Sequence, residues 1–519
     1  MSRKRKKKGT GRPAPQNRKS PVTVKKLEQL ANSMPQRTYR KKNHFGNVAE
    51  SLQKCQFMSQ AAALEVLLSG RNVFISGVAG AGKTTLVKQF IQEARSQKIN
   101  VGITASTGIA ATLLRGRTLH SFMGFGISNE PFDEQAIPKS MKRAKKRLLA
   151  IDVLVIDEIS MVSAALLDKV DATLRWARRR PNLPFGGVQL VLVGDFTQLP
   201  PISKDRDSLD AEFCFDCEAW KQADIASVYL DKPQRAKDEE LAYVLKNISL
   251  GNGKSKKVRE LLESRVGEKL PDDKVVTKLF SLNRLVDETN EKAQAENPNP
   301  LKVFPRRNET EKIPGLLKTL TESSRIPHEL LLKLGDSVSV TVNISDENVF
   351  IPNGALGKVV GFAGTGEDTM IIVKFNSGLR KPIGWHTFKL TESSPTVLGD
   401  RVVLEEKTVA SCQAIPLRLA YASTIHKSQG QTFDGAEISF SNLFMPGLGY
   451  VAISRVSSLD CLSINGYISN KALEVSSKSV EITKKVLQES KKLREQVLGE
   501  VAESPKPDSI GTQKQKQSS

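Results

Sequence analysis

The segment Gly77-Val-Ala-Gly-Ala-Gly-Lys-Thr84 has the residue spacing of a phosphate-binding loop. It follows the apolar run NVFIS, which predicts a buried strand, and it precedes a helical pattern over 84–98. In this setting the glycines let backbone N–H groups surround the β- and γ-phosphates, and the helix N-terminus adds its dipole. Lys83 is then expected to neutralise phosphate charge, and the Thr84 hydroxyl to bind Mg²⁺. The segment therefore predicts a nucleoside triphosphate site.

Two acidic residues, Asp157 and Glu158, end a second apolar run, VLVID. A carboxylate at the end of a buried strand is costly unless it faces a cation, and Mg²⁺ held through water would satisfy Asp157. Glu158 would then be placed to polarise the water that attacks the γ-phosphate. The alternative is that this acidic pair only caps the N-terminus of the next helix.

Gln198 lies in VLVGDFTQLPPI, where a buried-looking strand stops and Pro200-Pro201 forbids either helix or strand. The strand that ends near Asp195 is expected beside the strand that bears Asp157. The stiff turn should therefore aim Gln198 at the same phosphate pocket, where a neutral amide can bind a γ-phosphate oxygen or the attacking water.

Two arginines could complete the site from another part of the chain. Arg235 follows an apolar strand, and Arg455 lies in YVAISRV on a predicted short helix. A guanidinium that reaches developing charge only when two domains close would assist phosphoryl transfer. Either arginine could instead form a surface ion pair.

Apolar strands alternate with helices along the chain, which favours α/β architecture with parallel sheets. In the first half, strands are predicted at 99–106, 153–157 and 190–195, with helices at 84–98 and 164–180. The second half is expected to have strands at 275–283, 436–440 and 462–467 and helices at 236–249, 284–295 and 449–456. Between them, short alternating Val, Gly and Thr runs predict a small inserted antiparallel β-barrel over 331–404.

The composition of the 519 residues is typical of a soluble protein with several domains, with a mean hydropathy of −0.30. Residues 1–48 hold 15 Lys and Arg against one acidic residue, out of a net charge of +22 for the chain. A basic arm on a mildly basic body is typical of nucleic-acid binders, although a solvated tail without a partner would look the same.

No apolar run has the length of a membrane span, so no membrane association is expected. Five scattered cysteines favour a reducing compartment, and the Cys214–Cys217 pair lacks the second pair that structural zinc would need.

Taken in order, these motifs resemble those of the PIF family of ATP-dependent DNA helicases, over about Phe57 to Tyr467. The resemblance rests on FMSQAAAL, the phosphate loop, TASTGIAA, TLHSFMGFG, DEISMVSAALLDKVDATLRWAR, PFGGVQLVLVGDFTQLPPI, TIHKSQGQTFD and YVAISR. It implies two RecA-like cores, a small wedge insertion near 122–150 and a small β-barrel in the second core. It also implies a superfamily-one motor that uses ATP and Mg²⁺ and moves 5′ to 3′ on single-stranded DNA.

The resemblance assigns roles to particular residues. Lys83, Asp157, Glu158, Gln198, Arg235 and Arg455 become catalytic, with Gln198 as the γ-phosphate sensor and the arginines stabilising charge. The nucleotide-binding set comprises Gln60, which would read adenine, with Gly77, Val78, Ala79, Gly80, Ala81, Gly82, Lys83, Thr84, Thr85 and Gly430. Thr84 and Asp157 hold the metal, and the residues expected near or on the strand are Thr107, Gly108, His120, Phe122, Thr424, His426 and Lys427.

The expected divisions are a basic disordered arm (1–48), a first core (49–217), a second core (218–330 and 405–469) around the insertion (331–404), a helix (470–500) and a disordered tail (501–519). We expect a monomer that binds single-stranded and tailed duplex DNA in repair, recombination or genome maintenance. The basic run from Arg3 to Lys8 favours the nucleus, with the mitochondrion as the alternative.

The sequence departs from the family pattern at Gln234 and Ala236 beside Arg235, and at Leu448, where a Gln usually follows the glycine. These changes remove no charged catalytic group but could slow the motor. The alternatives left open are a RecD-like or mobile-element-derived helicase, a helicase acting on RNA or hybrids, and a DNA-binding scaffold whose ATPase has decayed.

Overall fold

The computed structural model describes residues 45–78, 80–125, 131–201, 213–231, 238–271, 274–346, 349–398, 401–440, 443 and 445–503. Ala79 and Arg235 lie outside these ranges, and so do most of the predicted arm and tail. The helix Phe45–Gln53 overlaps the last residues of the predicted arm, so folded structure begins slightly earlier than expected.

The first core is built on a six-stranded parallel sheet with the order β3-β2-β4-β5-β1-β6. Its strands are β1 Val73–Gly77, β2 Val101–Ala105, β3 Arg117–Thr118, β4 Val153–Asp157, β5 Gln189–Val193 and β6 Ala226–Leu230. All but the short edge strand β3 are buried along their whole length, because helices cover both faces, and this explains their continuous apolar sequences. Since β6 pairs with β1, the first sheet extends beyond the predicted boundary at 217.

Helices flank this sheet and alternate with its strands. Those of the first core are Gln60–Leu68, Lys83–Ser96, Gly108–Leu113, Leu119–Met123, Lys139–Ala150, Ala164–Arg178 and Glu218–Gln222. The remaining α-helices of the described residues are Glu239–Ser249, Lys256–Glu263, Asn283–Glu296, Leu316–Ser323, Leu448–Ile453 and Ser477–Glu503. Short 3₁₀ turns occur at Ile159–Met161, Pro184–Gly187, Cys214–Asp216, Gly366–Asp368, Leu459–Cys461 and Lys471–Leu473. Within the described part of the chain, no helix combines the length and apolarity needed to cross a bilayer.

The second core has a four-stranded parallel sheet with the order β20-β7-β21-β22. Its strands are β7 Thr277–Phe280, β20 Ala422–Thr424, β21 Ala436–Ser439 and β22 Leu462–Asn465. The two parallel α/β layers predicted from the sequence are confirmed by this pair of sheets.

The predicted β insertion is a set of antiparallel sheets, the largest with the order β16-β15-β14-β11-β19. Its strands are β11 Ser337–Val340, β14 Leu356–Ala363, β15 Met370–Phe375, β16 Arg380–Ile383 and β19 Leu417–Leu419. Smaller ribbons are formed by β8 Lys302–Pro305 with β10 Glu329–Leu332, and by β12 Ile344–Ser345 with β13 Phe350–Ile351. Strands therefore extend on both sides of the predicted 331–404 range.

A long hairpin joins this insertion to the first core. It consists of β17 His386–Leu398 and β18 Arg401–Ala414, and β9 Arg307–Glu311 pairs along its base. Near its tip, the Asn100 side chain donates to the Val402 carbonyl at 2.9 Å and accepts from the Leu404 amide at 3.2 Å. Arg95 of the first core also pairs with Glu406 of the hairpin at 3.0 Å. The hairpin thus bridges parts of the chain separated by about 300 residues.

The C-terminal helix Ser477–Glu503 returns to the first core. Ser490 Oγ accepts a hydrogen bond from the Tyr229 amide at 2.9 Å, and Ser227 Oγ donates to Glu489 at 2.5 Å. Both contacts lie on β6, so this helix covers the edge strand of the first sheet. The helix begins and ends later than the predicted 470–500.

Candidate nucleotide-hydrolysis site between the two cores

The phosphate loop (77–84) lies between β1 and the helix Lys83–Ser96, as predicted. Gly77 has φ +150°, and a Cβ there would lie 2.4 Å from the Leu230 carbonyl oxygen, so the position accepts only glycine. Lys83 Nζ donates to the Gly77 and Val78 carbonyls at 2.7 and 3.2 Å. Burial lowers the pKa of Lys83, while Asp195 and Glu158 oppose that effect. The ammonium group is therefore held inside the loop by groups that a phosphate could replace.

The predicted nucleotide-binding set has further described members, namely Gln60, Thr84, Thr85 and Gly430, of which Gly430 belongs to the second core and is exposed. Thr84 is half-buried in the first turn of the helix, and Thr85 is exposed. Gln60 Nε2 lies 3.4 and 3.3 Å from the carbonyl oxygens of Ala81 and Gly82. The predicted adenine-reading amide thus contacts the loop, and its role with adenine stays a prediction.

Asp157 and Glu158 lie at the carboxyl end of β4, on the same sheet edge as the phosphate loop. Burial and the neighbouring Glu158 raise the pKa of Asp157 to about 7. Glu158 has a left-handed backbone (φ 52°), and its amide donates to Asp157 Oδ1 at 2.9 Å. This conformation is costly for a residue with a side chain and is most often found at functional sites. The Asp157 carboxylate and the Thr84 hydroxyl are both oxygen donors of the kind that Mg²⁺ prefers.

Gln198 belongs to the loop 194–201, which we call the sensor loop, and its side chain is 8% exposed. Its Nε2 lies 3.4 Å from Asp195 Oδ2, and its Oε1 accepts from Gln429 Nε2, also at 3.4 Å. Since β5 pairs with β4, the sensor loop begins beside the strand of Asp157, as the sequence predicted. The amide therefore lies where the first core meets the second core, in contact with both.

Hydrophobic anchors attach the sensor loop to both cores. Phe196 packs against Phe74 and Phe215 of the first core, with ring centroids 5.1 and 4.8 Å apart. Three residues later, Leu199 is buried in the hydrophobic cluster of the second core. A relative movement of the cores must therefore be accommodated at the sensor loop.

A buried hydrogen-bond cluster lies under the sensor loop. Asp195 accepts from Thr197 Oγ1 at 2.5 Å and, across the core boundary, from the Tyr450 hydroxyl at 2.9 Å. Gly447 precedes Tyr450, and a Cβ at Gly447 would lie 2.6 Å from the Gln198 carbonyl oxygen. The helix Leu448–Ile453 is thus fitted closely against the sensor loop.

Arg455 lies just after this helix and is 4% exposed. Its guanidinium donates to the carbonyls of Val451 at 2.9 Å and Ser428 at 3.1 Å. Burial raises the pKa of Glu158, and the Arg455 charge opposes that rise across the core boundary. Arg455 is therefore a buried cation within electrostatic reach of the proposed catalytic carboxylate, and the surface-ion-pair alternative does not describe it.

The residues predicted near the DNA strand fall into two groups. Half-buried side chains remain accessible at Thr107, His120, His426 and Lys427, with Gly108 at the start of its helix. Phe122 and Thr424, by contrast, are 2% and 3% exposed. A Cβ at Gly102 would lie 2.7 Å from Phe122 Cζ, so the ring is packed on β2. Phe122 and Thr424 can support a strand-binding surface from below, but the buried Phe122 ring cannot stack on a base in this conformation.

Sequence reasoning did not identify Asp195, Gln429 or Tyr450 as site residues. One signal was present, because Tyr450 begins the otherwise apolar run YVAI, and a buried hydroxyl there needs a partner. Its partner lies 255 residues away along the chain, beyond the range of any local pattern.

Comparison with known proteins agrees with this arrangement. A family model described as PIF1-like helicase matches residues 53–257. The human ATP-dependent DNA helicase PIF1 is 36% identical over 405 residues, which cover 78% of this chain and 60% of that protein. The structure of a Bacteroides Pif1 with ADP-AlF4 has a TM-score of 0.71 and 30% identity, covering 85% of this chain and 97% of that one. A Bacteroides Pif1 bound to ssDNA gives a TM-score of 0.55 at 30% identity, covering 84% and 96%.

A phosphate loop on one RecA-like core, with a second RecA-like core packed against it, is the arrangement of a two-core P-loop ATPase. The chain belongs to the PIF1-like helicase family, whose members are ATP-dependent DNA helicases. It spans about 60% of the length of its human relative.

Proposed function

We propose that this chain hydrolyses ATP at the boundary of its two cores and uses the cycle to move 5′ to 3′ along single-stranded DNA, separating duplexes ahead of it. The observation that supports this most directly is Arg455, a buried cation of the second core that acts on Glu158 and Lys83 of the first.

The chain's own residues suggest how hydrolysis is coupled to movement. ATP binds Lys83 from the first core and brings Arg455 of the second core towards its γ-phosphate. Glu158 accepts a proton from the attacking water, and Arg455 stabilises the charge that develops. Loss of the γ-phosphate removes these contacts, so the closed arrangement is no longer favoured and the cores separate.

Thr84 and Asp157 would hold Mg²⁺, which supplies charge neutralisation at the β- and γ-phosphates when bound. Asp157 is buried, and burial disfavours its ionised form. A bound cation would reverse that preference. The donor set therefore suits Mg²⁺, as the phosphate-loop motif predicts.

The accessible residues Thr107, His120, His426 and Lys427 come from both cores, so a strand that contacts all of them must cross the boundary between the cores. A strand held in this way is advanced when the cores close and open in turn. We place the function in DNA repair, recombination or genome maintenance by analogy with the Pif1 relatives. The basic run from Arg3 to Lys8 favours the nucleus as its location.

ATP turnover with and without DNA tests this function, and it also tests Gln198. The parent chain is expected to show turnover raised at least tenfold by single-stranded DNA. Gln198→Ala should still bind ATP but lose most of that stimulation, because its amide contacts both cores. Fluorescent-nucleotide binding and steady-state turnover measure the two properties, with Gln89→Ala on the exposed face of the first core as control.

Parallel reactions with single-stranded RNA test the alternative substrate. Turnover raised equally by RNA and DNA would contradict a DNA motor, and the absence of stimulation by either would contradict a motor of any kind. If the Gln198 variant keeps full stimulation, Gln198 is an ordinary loop residue.

A further inference from the structure

The helix Lys139–Ala150, which we call the wedge helix, has an unusual charge distribution. It contains six basic residues and no acidic one. Four of them, Lys139, Lys142, Arg143 and Lys146, are exposed and follow the i, i+3, i+4, i+7 spacing that places side chains on one face. We call these four residues the basic face.

The charge distribution of the wedge helix is unfavourable for the stability of an isolated helix. Like charges three and four residues apart repel each other, and a cation in the first turn is unfavourable at the positive end of the helix dipole. Within the described residues, no carboxylate forms an ion pair with any member of the basic face. Asp133 and Glu134 in the preceding segment are exposed and make no such pair. An anionic partner would relieve the repulsion that the described carboxylates leave uncompensated.

The opposite face of the wedge helix is firmly fixed. Met141, Ala144 and Leu148 are buried in the hydrophobic cluster of the first core. Arg147 donates to the carbonyls of Phe122 at 2.6 Å and Ser121 at 2.9 Å, and it lies 3.5 Å from Glu392 of the long hairpin. The basic face is therefore a rigid surface attached to the helix Leu119–Met123, which carries His120.

The shape of the basic face suits a regular phosphate backbone. Its residues span seven positions, or about 10 Å along the helix. Duplex DNA places one phosphate per strand every 3.4 Å of axis, so this length matches about three phosphates. Proteins that hold single strands add aromatic side chains on which bases stack, and the wedge helix contains none. These features favour duplex over single-stranded DNA.

We propose that the basic face binds the phosphate backbone of duplex DNA next to the point where the strands separate. The inference rests on the proposed helicase function, because it places the duplex beside the residues expected to hold the single strand. When the duplex is held against a fixed surface, each advance of the single strand pulls the base pairs apart. Without such a surface, the same advance would turn the duplex instead.

The test compares two full-length variants that lose the same charge. The first changes Lys142, Arg143 and Lys146 to Gln, a residue that favours helix formation. The control changes Lys484, Lys491 and Lys492, three exposed lysines of the C-terminal helix, to Gln. Affinities for a blunt duplex and for a single strand are measured over a range of KCl, together with DNA-stimulated ATP turnover and strand separation.

In the wedge variant, the slope of log affinity for the duplex against log salt should become less steep by about two to three, at roughly 0.9 per lost phosphate contact. Single-strand-stimulated turnover should stay within about twofold of the parent, while strand separation falls more than tenfold. The control variant should match the parent in all of these measurements.

Equal duplex affinity and salt slope in both variants would overturn the inference, and so would an equal loss for single strand and duplex in the wedge variant. Failure of the proposed function is a different outcome, because then the parent chain itself would show neither DNA-stimulated turnover nor strand separation.

Discussion

Replacing Arg455 by Ala is expected to lower DNA-stimulated ATP turnover by about 10³-fold, the lower end of what an arginine contributes to phosphoryl transfer. The reason is electrostatic, because Arg455 is a buried cation of the second core whose charge opposes the rise in the pKa of Glu158. Nucleotide binding should be affected far less, since the phosphate loop and Gln60 belong to the first core. The measurements are steady-state turnover with single-stranded DNA and fluorescent-nucleotide affinity.

Arg455 is also a structural residue, so the loss of folding must be separated from the loss of catalysis. Its removal leaves the carbonyls of Val451 and Ser428 without their donors, which costs stability. Arg455→Lys keeps the charge but not the planar fork. We expect this variant to fold, with a thermal transition close to that of the parent, and yet to hydrolyse ATP at least tenfold more slowly. Normal turnover in Arg455→Lys would show that the planar guanidinium group of Arg455 plays no part in the reaction.

Replacing Lys83 by Ala is expected to abolish hydrolysis, with a loss of about 10³-fold, because the only ammonium group held inside the phosphate loop in the described structure is removed. DNA binding should persist, since the accessible residues expected to contact the strand lie elsewhere on the two cores. Turnover and single-strand affinity measure the two effects. Lys484→Ala, on the exposed face of the C-terminal helix, controls for the loss of one positive charge.

Undiminished turnover in Lys83→Ala would mean that hydrolysis takes place at some other site. A parallel loss of DNA binding would mean instead that Lys83 supports the fold, and a thermal melt distinguishes that case.

The sequence was sufficient to predict the part of the candidate site that lies on the first core. The phosphate loop and Asp157-Glu158 each follow an apolar strand directly, and parallel strands present their carboxyl ends at one edge. Short motifs beside strongly apolar strands are therefore positioned by the sheet itself.

The contacts that join the cores could not be predicted in the same way. Leu199 is buried in the second core, although its neighbours belong to the first. The Tyr450–Asp195 hydrogen bond and the contact between Asn100 and the long hairpin each link residues hundreds of positions apart. Such contacts depend on how whole elements pack against each other, and residue type alone does not specify that packing. The burial of Phe122 and Thr424 was missed for the same reason, since a motif does not tell which way a side chain faces.

Strand separation on duplexes that carry either a 5′ or a 3′ single-stranded tail is the most direct measurement of the proposed motor. With ATP and Mg²⁺ present, the parent chain should separate the 5′-tailed duplex and leave the 3′-tailed duplex intact, while Lys83→Ala separates neither. Separation of the 3′-tailed duplex alone would contradict the proposed direction. Separation that continues in Lys83→Ala would contradict the conclusion that hydrolysis between the two cores drives the movement.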